Sequence, residues 1–402
     1  MITLGLIREF KQPADRRVAF NPQQCAEIKK QFSEIDIAVE SSPDRIFTDN
    51  AYKKEGISVS DDLSDCDILF GIKEIPIEKL LANKTYLFFS HTIKKQPHNC
   101  EMLKAIINKK IRLIDYECLV RSNGIRVLGF GRYAGLVGTY ETLRALGLKN
   151  RTFKIKPAYE CADYEEMLVV LGSIVNILKV GKHKIVITGS GRVSSGVEEL
   201  LTDLKIKKVT PDEFLNQTFD EIVYTLLDIN DLYERKDGSP WNHDHFFNNH
   251  SAYQSKFKPY CSVATILING VFWDSAMPQH FSKEDTKSND FSIKVIGDIS
   301  CDVEGSVPIT IHDTHAENPV FGWDAANQCE CEPFTEKSID VMAVSNLPSE
   351  LPANASEGFG NDLLKFVLPE LLKPESEMIK NATICQNGNL TEKFNYLADY
   401  IL

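Results

Sequence analysis

The chain has no excess of positive charge: 45 lysines and arginines stand against 57 aspartates and glutamates, a formal net charge of −12. Gripping a nucleic-acid backbone requires a basic face, so nucleic acid is not expected as a partner. No apolar run approaches the roughly 18–20 residues that a membrane-spanning helix needs, so no membrane partner is expected either. The opening MITLGLIREF lacks a basic segment leading into an apolar one and is read as carrying no secretory signal. Paired cysteine spacing is missing too. Ten cysteines are scattered without the framework of a small disulfide-bonded domain, which points to reduced thiols and a cytoplasmic setting. Cys329 and Cys331 form a C-x-C, and His243, His245 and His250 a histidine cluster. Neither has a partner pair at structural-zinc spacing, and no metal is expected.

What is present is an ordinary globular composition, 43% hydrophobic and 25% charged, over 402 residues. That length allows two domains, each with its own core. In the first third, short apolar strands alternate with amphipathic helices: TLGLIRE, IDIAVE, CDILFGIKEI, KTYLFFSH and IRLIDYE as strands, PQQCAEIKKQF and EMLKAIINKK as helices. Strands separated by helices imply parallel pairing and an α/β layer architecture. The glycine-rich passage GFGRYAGLVGTYETLRALGL leads into a helix around Thr139–Leu146 and suits a hinge between domains. A second α/β unit follows, with the helix EEMLVVLGSIVNIL and the strands KIVITGSG and FSIKVIGDIS.

KIVITGSGRVSSGVEELLTDL has the order strand, glycine turn, helix. Gly189 permits the tight turn, Gly191 lets the backbone approach a pyrophosphate, and Gly196 allows helix and strand to pack closely. The spacing G-x-G-x-x-x-x-G is longer than the common dinucleotide fingerprint, so its strand–turn–helix context carries the reading. An acid for the ribose hydroxyls is expected at the end of the next strand, KIKKVT. Thr210 stands there, with Asp212 just beyond and Lys207 and Lys208 just before. An acid would favour NAD and a cation NADP, and neither is cleanly placed.

GIKEIP sets Lys73 and Glu74 at the end of one apolar strand, and FFSHTIK sets His91 at the end of the next. Open parallel sheets bind ligands beyond the carboxyl ends of their strands. A desolvated lysine and a histidine there are candidate proton carriers for imine or carbonyl chemistry. Taken alone, a solvated lysine and a capped histidine at strand ends explain the same residues slightly better. Arg17 in ADRRVAFNP and Arg126 in NGIRVLGFG offer planar forks for a carboxylate-bearing substrate.

Several words together resemble a known family. KTYLFFSHTIK, IRLIDYE, VITGSGRVSSG, LINGVFWD, GDISCD and SNLPSELPANASEGFGNDLL are similar to the lysine–2-oxoglutarate reductase half of bifunctional aminoadipate-semialdehyde synthase. They are similar with more drift to lysine-forming saccharopine dehydrogenase, and distantly to alanine dehydrogenase. The resemblance implies two Rossmann-like domains with parallel sheets flanked by helices and the active site in the interdomain cleft. It implies a discontinuous catalytic domain, residues 1–135 with 338–402, around a dinucleotide-binding domain at residues 136–337. It also implies saccharopine, L-lysine and 2-oxoglutarate as substrates, with NAD or NADP as cofactor, in a monomer or homo-oligomer. Residue by residue, Lys73 and His91 match the acid–base pair. Arg17 and Arg126 match the carboxylate-binding positions, and Glu74 and Glu117 tune the charge around them. Asp302 matches an aspartate beside the nicotinamide, and Gly189, Ser190, Gly191, Arg192 and Val193 the pyrophosphate loop. The segments 151–166 and PWNHDHFFNNH depart from the family pattern. The alternatives are an alanine dehydrogenase-like deaminase of another amino acid and a non-catalytic nucleotide-binding protein of the same fold.

Overall fold

The alternation of the first third is laid down as β1 (Ile2–Leu6), α1 (Pro22–Gln31), β2 (Ile35–Glu40), α2 (Asp49–Lys54), β3 (Ser58–Ser60), β4 (Ile68–Phe70), β5 (Thr85–Phe88), α3 (Cys100–Asn108) and β6 (Arg112–Asp115). The structure, a computed structural model, describes every residue from Met1 to Leu402. Local chemistry accounts for these elements. In β2, Ile35, Ile37 and Val39 are buried and alternate with half-buried neighbours, the period of a strand. At α1, Asn21 and Gln24 close a reciprocal capping box, Pro22 occupies the first turn, and Lys29 and Lys30 lie in the last.

The middle of the chain forms α4 (Gly131–Asn150), α5 (Tyr164–Val180), β7 (Lys184–Thr188), α6 (Arg192–Asp203), β8 (Lys207–Lys208), α7 (Pro211–Asn216), β9 (Val223–Leu227) and α8 (Ile229–Leu232). Then come the hairpin strands β10 (Tyr233–Arg235) and β11 (Tyr253–Ser255), which flank α9 (His243–Asn248). They are followed by α10 (Lys258–Cys261), β12 (Ile266–Asn269), β13 (Val295–Asp298), β14 (Val320–Asp324), β15 (Cys329–Cys331) and β16 (Ser338–Met342). The chain closes with α11 (Pro352–Asp362), α12 (Leu368–Leu371), α13 (Glu377–Ala382), β17 (Thr383–Gln386) and β18 (Asn389–Leu390).

Two eight-stranded sheets result, in two units: Met1–Phe130 with Pro352–Leu402, and Gly131–Leu351. Both are Rossmann-like. The first sheet runs β18-β17-β6-β5-β4-β1-β2-β3. Its six strands from β6 to β3 are parallel in the doubly wound order 3-2-1-4-5-6, and β17 and β18 add antiparallel strands at one edge. The second runs β15-β14-β16-β13-β12-β7-β9-β8, parallel from β16 to β8, with β14 and β15 antiparallel.

Three expectations change. The glycine-rich passage is not an open hinge segment: from Gly131 onward it is helix α4, and its glycines serve packing. A methyl at Gly135 would overlap the Val193 carbonyl oxygen of α6, and one at Gly196 would overlap the Arg132 carbonyl oxygen of α4. Gly196 therefore permits two helix backbones to touch, where a helix–strand contact was expected. Second, the chain does not leave the dinucleotide-type unit at residue 338. Ser338–Met342 is β16, parallel to β13, and the return comes only at Pro352. Third, β8 does not neighbour β7. β9 lies between them.

Candidate active site

In the first unit the sheet reverses its winding direction between β1 and β4, the switch point at which open α/β sheets bind ligands. The chain leaves β1 toward Glu9, β4 toward Lys73 and Glu74, β5 toward His91, and β6 toward Glu117. The named side chains therefore gather beyond the carboxyl ends of four neighbouring strands. Contacts tie them together. Glu9 accepts the backbone N–H of Ile72 at 2.7 Å and of Lys73 at 2.9 Å, fixing the turn that presents Lys73. His91 Nδ1 lies 2.5 Å from Glu74 Oε1. Arg126 Nη1 reaches Glu117 Oε1 at 3.4 Å, and its guanidinium sits over Phe89, which also stacks on His91.

The electrostatics give these groups distinct states. Burial depresses the Lys73 ammonium below its ordinary value, aided by the neighbouring cations Arg17 and Lys11. Burial works to raise Glu74, but the His91 hydrogen bond and the His91 and Lys73 charges hold it at about 2. An ionised Glu74 only accepts, so His91 Nδ1 carries the proton and Nε2 is the basic nitrogen. Asp15 is likewise held at about 2 against burial by Arg17. Glu9 moves the other way, to about 8, through desolvation and the nearby Asp15 carboxylate.

Arg17 is only 2% exposed, and its fork is closed on Asp15, with Nε to Oδ1 at 2.9 Å and Nη2 to Oδ2 at 2.5 Å. Its guanidinium lies 4.2 Å above the Phe130 ring. Arg126, with 41% of its side chain exposed, is the more accessible cation of the two. Asp15 and Glu9 were not singled out from sequence. The ending of strand LIRE was the available signal for Glu9, and the i,i+2 spacing to Arg17 the signal for Asp15.

In the second unit, β7 runs into Gly189 at φ +89°, a left-handed conformation that only glycine adopts easily. Gly191 is the N-cap of α6, and a Cβ built there meets nothing within 4 Å. An open backbone at the N-terminus of a twelve-residue helix fits the pyrophosphate of a dinucleotide. Ser190, Arg192 and Val193 lie in the same turn, and Val193 packs beside Gly270 at the end of β12. Asp302 is exposed after the end of β13, beyond Cys301 at φ +47°, and its carbonyl accepts the Gly305 N–H. Thr210 is not brought to the turn: it follows the outer strand β8 and caps α7, its hydroxyl accepting the Glu213 N–H. The residue that does stand beside the turn is Asp228, at the end of β9, which accepts the Ser190 hydroxyl at 2.6 Å. Its signal was an acid closing the apolar strand VYTLL. Beneath the turn, Asn269 links Thr188 to the buried Asp298, whose carboxyl burial raises to about 6. Cys329 and Cys331 lie on an edge strand and the three histidines around α9, and no three potential ligands converge on a metal-sized site.

Residues 5–137 match the family model "Alanine dehydrogenase/PNT, N-terminal domain". The chain is 28% identical to the mitochondrial alpha-aminoadipic semialdehyde synthase of Mus musculus, over 98% of this chain and 47% of that protein. It thus spans about half the length of the first curated relatives it matches. It is 26% identical to the NAD(+), L-lysine-forming saccharopine dehydrogenase of Neurospora crassa, over 90% of both chains. Among solved structures, an L-alanine dehydrogenase superposes over 100% of both chains with a TM-score of 0.65 at 15% identity. A transhydrogenase from Sinorhizobium meliloti does so over 97% of this chain with a TM-score of 0.57 at 13% identity. These two likenesses establish the fold. The chain is thus similar over most of its length to the aminoadipic semialdehyde synthases and saccharopine dehydrogenases, and over residues 5–137 to the alanine dehydrogenase/PNT N-terminal domain.

Proposed function

We propose that the chain is an NAD(P)-dependent oxidoreductase that interconverts saccharopine with L-lysine and 2-oxoglutarate through an imine. One observation carries the reading: a lysine of depressed pKa and a histidine oriented by an ionised glutamate share the switch point of the first sheet. The relatives named for this chemistry support it.

Joining an amine to a ketone needs a neutral amine, a proton for the departing hydroxyl, and a place for the carboxylates. Lys73, inclined to give up its proton, accepts one from the ε-ammonium of the substrate lysine. His91, with Nδ1 fixed on Glu74, moves protons at Nε2 as the carbinolamine forms and water leaves. The carboxylates of the two substrates need cationic partners. Arg126 offers the more open fork, whereas the Arg17 fork is engaged by Asp15. Bound at the glycine turn, the nicotinamide nucleotide would supply the hydride that reduces the imine.

The test is oxidation of NADH and of NADPH followed at 340 nm with lysine and 2-oxoglutarate together and with each alone. Turnover requiring both substrates is the expected result. Turnover with a small 2-oxo acid and ammonia, and none with lysine, would transfer the chain to amino-acid deamination.

A further inference from the structure

Strand β6 opens on an arginine whose side chain no other group engages. Arg112 is half-buried, and its Nε is shut off from solvent with no acceptor. Burial alone lowers its pKa from the ordinary arginine value, and no carboxylate opposes the shift. A charged donor held partly dehydrated without an acceptor is costly, which points to a partner from outside the chain. Arg112 lines a cavity of about 690 Å³, a volume suited to a small molecule. The other walls come from the carboxyl segment: α12, α13 and the β17–β18 hairpin. Arg112 stands at the amino end of β6, whereas Lys73 and His91 follow the carboxyl ends of β4 and β5, so the cavity is separate from the candidate active site.

The charges around the cavity define what fits. Lys373 is paired with Glu370, and Lys380 with Glu377. Glu375 and Glu392 are exposed on the rim and have no ion-pair partner, and neither reaches Arg112. One cation and two acids are left unmatched, which disfavours a phosphate or a dicarboxylate and suits a molecule with one carboxylate and two amines. We propose that this cavity binds a basic amino acid, its α-carboxylate on the Arg112 guanidinium and its two ammonium groups toward Glu375 and Glu392. The planar fork of arginine matches a carboxylate in two hydrogen bonds. Because the walls come from β6 and from the carboxyl segment, the occupant ties together the two stretches of chain that build the first unit. Nothing in this site depends on the catalytic reading above.

The test is calorimetric titration of the full chain, without nucleotide, with L-lysine, L-norleucine and cadaverine. Norleucine lacks the side-chain amine and cadaverine the carboxylate, so lysine should bind most tightly of the three. Arg112→Gln keeps a polar side chain without the charge, and loss of a charge-assisted hydrogen bond should weaken lysine binding roughly 10- to 100-fold. Lysine should also raise the thermal midpoint of the wild type and not that of Arg112→Gln. Glu375→Gln with Glu392→Gln should bring lysine down to the affinity of norleucine. Arg126→Gln separates this cavity from the candidate active site, because the binding that Arg112→Gln removes should persist there. Three results overturn the proposal: no lysine binding to the wild type, norleucine or cadaverine binding as tightly as lysine, or lysine binding that falls in Arg126→Gln and is unchanged in a natively folded Arg112→Gln.

Discussion

At the scale of single residues, the candidate chemistry depends on unequal treatment of similar groups. Glu74 and Glu9 lie close to the same lysine, yet one is held at about 2 and the other at about 8. The difference is the partner: an imidazole and a cation for Glu74, a dry site and a second carboxylate for Glu9. If Lys73 and His91 carry the protons, Lys73→Met and His91→Gln should each lower turnover by roughly 10²–10⁴-fold with cofactor affinity unchanged. Each should also flatten one limb of the pH–rate profile, and steady-state kinetics across pH with nucleotide titrations would check it. Wild-type turnover in both variants would leave the pair without a catalytic role. Glu9 makes a separate prediction about stability. A carboxyl raised from 4.5 to about 8 keeps its proton in the fold after the unfolded chain has released one. Stability from this group is therefore full below about pH 4.5 and lost as pH rises through about 8. In Glu9→Gln that decline should be missing, so thermal midpoints at about pH 5 and about pH 8 should differ less than in the wild type. Parallel pH profiles would show that Glu9 is charged throughout. Lys73, His91 and Glu74 were legible in the sequence because strand ends are visible as the close of an apolar run. Glu9, Asp15 and Asp228 were not, because their importance comes from neighbours distant along the chain.

At the scale of elements, helix α4 and the glycine turn show opposite uses of one residue type. Gly135 in α4 and Gly196 in α6 bring two helix backbones into contact, whereas Gly191 leaves its backbone facing open space. Gly135→Ala should therefore force the helices apart and lower stability by about 1–3 kcal/mol, the usual effect of overpacking. Gly191→Val has room within the protein, so the fold should persist while dinucleotide affinity is lost. Thermal melts paired with nucleotide titrations separate the two outcomes. A stable Gly191→Val variant with normal affinity would remove the turn from the site. The strands of the first third were readable from alternation and apolar runs, and α1 from its capping residues and proline. Helix α4 was harder to recognise, since each interior glycine disfavours a helix by roughly 1 kcal/mol relative to alanine and reads as a loop. Close packing against α6 stabilises the helix, and no local pattern records that contact. The exchange of β8 and β9 was equally invisible, because order along the chain does not fix order across a sheet. Only two residues long and with both Lys207 and Lys208 exposed, β8 lacks the apolar face that would hold an inner position.

At the scale of the whole molecule, one unit is continuous in sequence and the other is not, and that asymmetry has a measurable consequence. Residues 131–351 contain their own sheet and a core that includes Val186, Ile296, Trp323 and Val341, all at most 1% exposed. The first unit draws on both ends of the chain. Phe359, Leu363, Val367 and Ile384 are buried in the same core as Leu4, Phe70 and Leu113, and β17 covers the edge of β6 through Thr383↔Ile114. Nothing in SIDVM or in GNDLLKFVLPELL states which sheet each joins, so this partition is settled by packing. A fragment of residues 131–351 should fold cooperatively and retain dinucleotide binding. Residues 1–130 alone should not fold, since four large buried side chains would be missing from the core, each worth about 1.5–3 kcal/mol on burial, and the edge of β6 would lie bare. Joining residue 130 to residue 352 by a short linker should restore the unit, because Phe130 already stacks on Phe359 with ring centroids 4.7 Å apart. Far-UV circular dichroism melts of the three fragments, with nucleotide titration of the first, give the readout. A cooperative melt from residues 1–130 alone would show that the carboxyl segment is an appendage and that the first sheet stands without it.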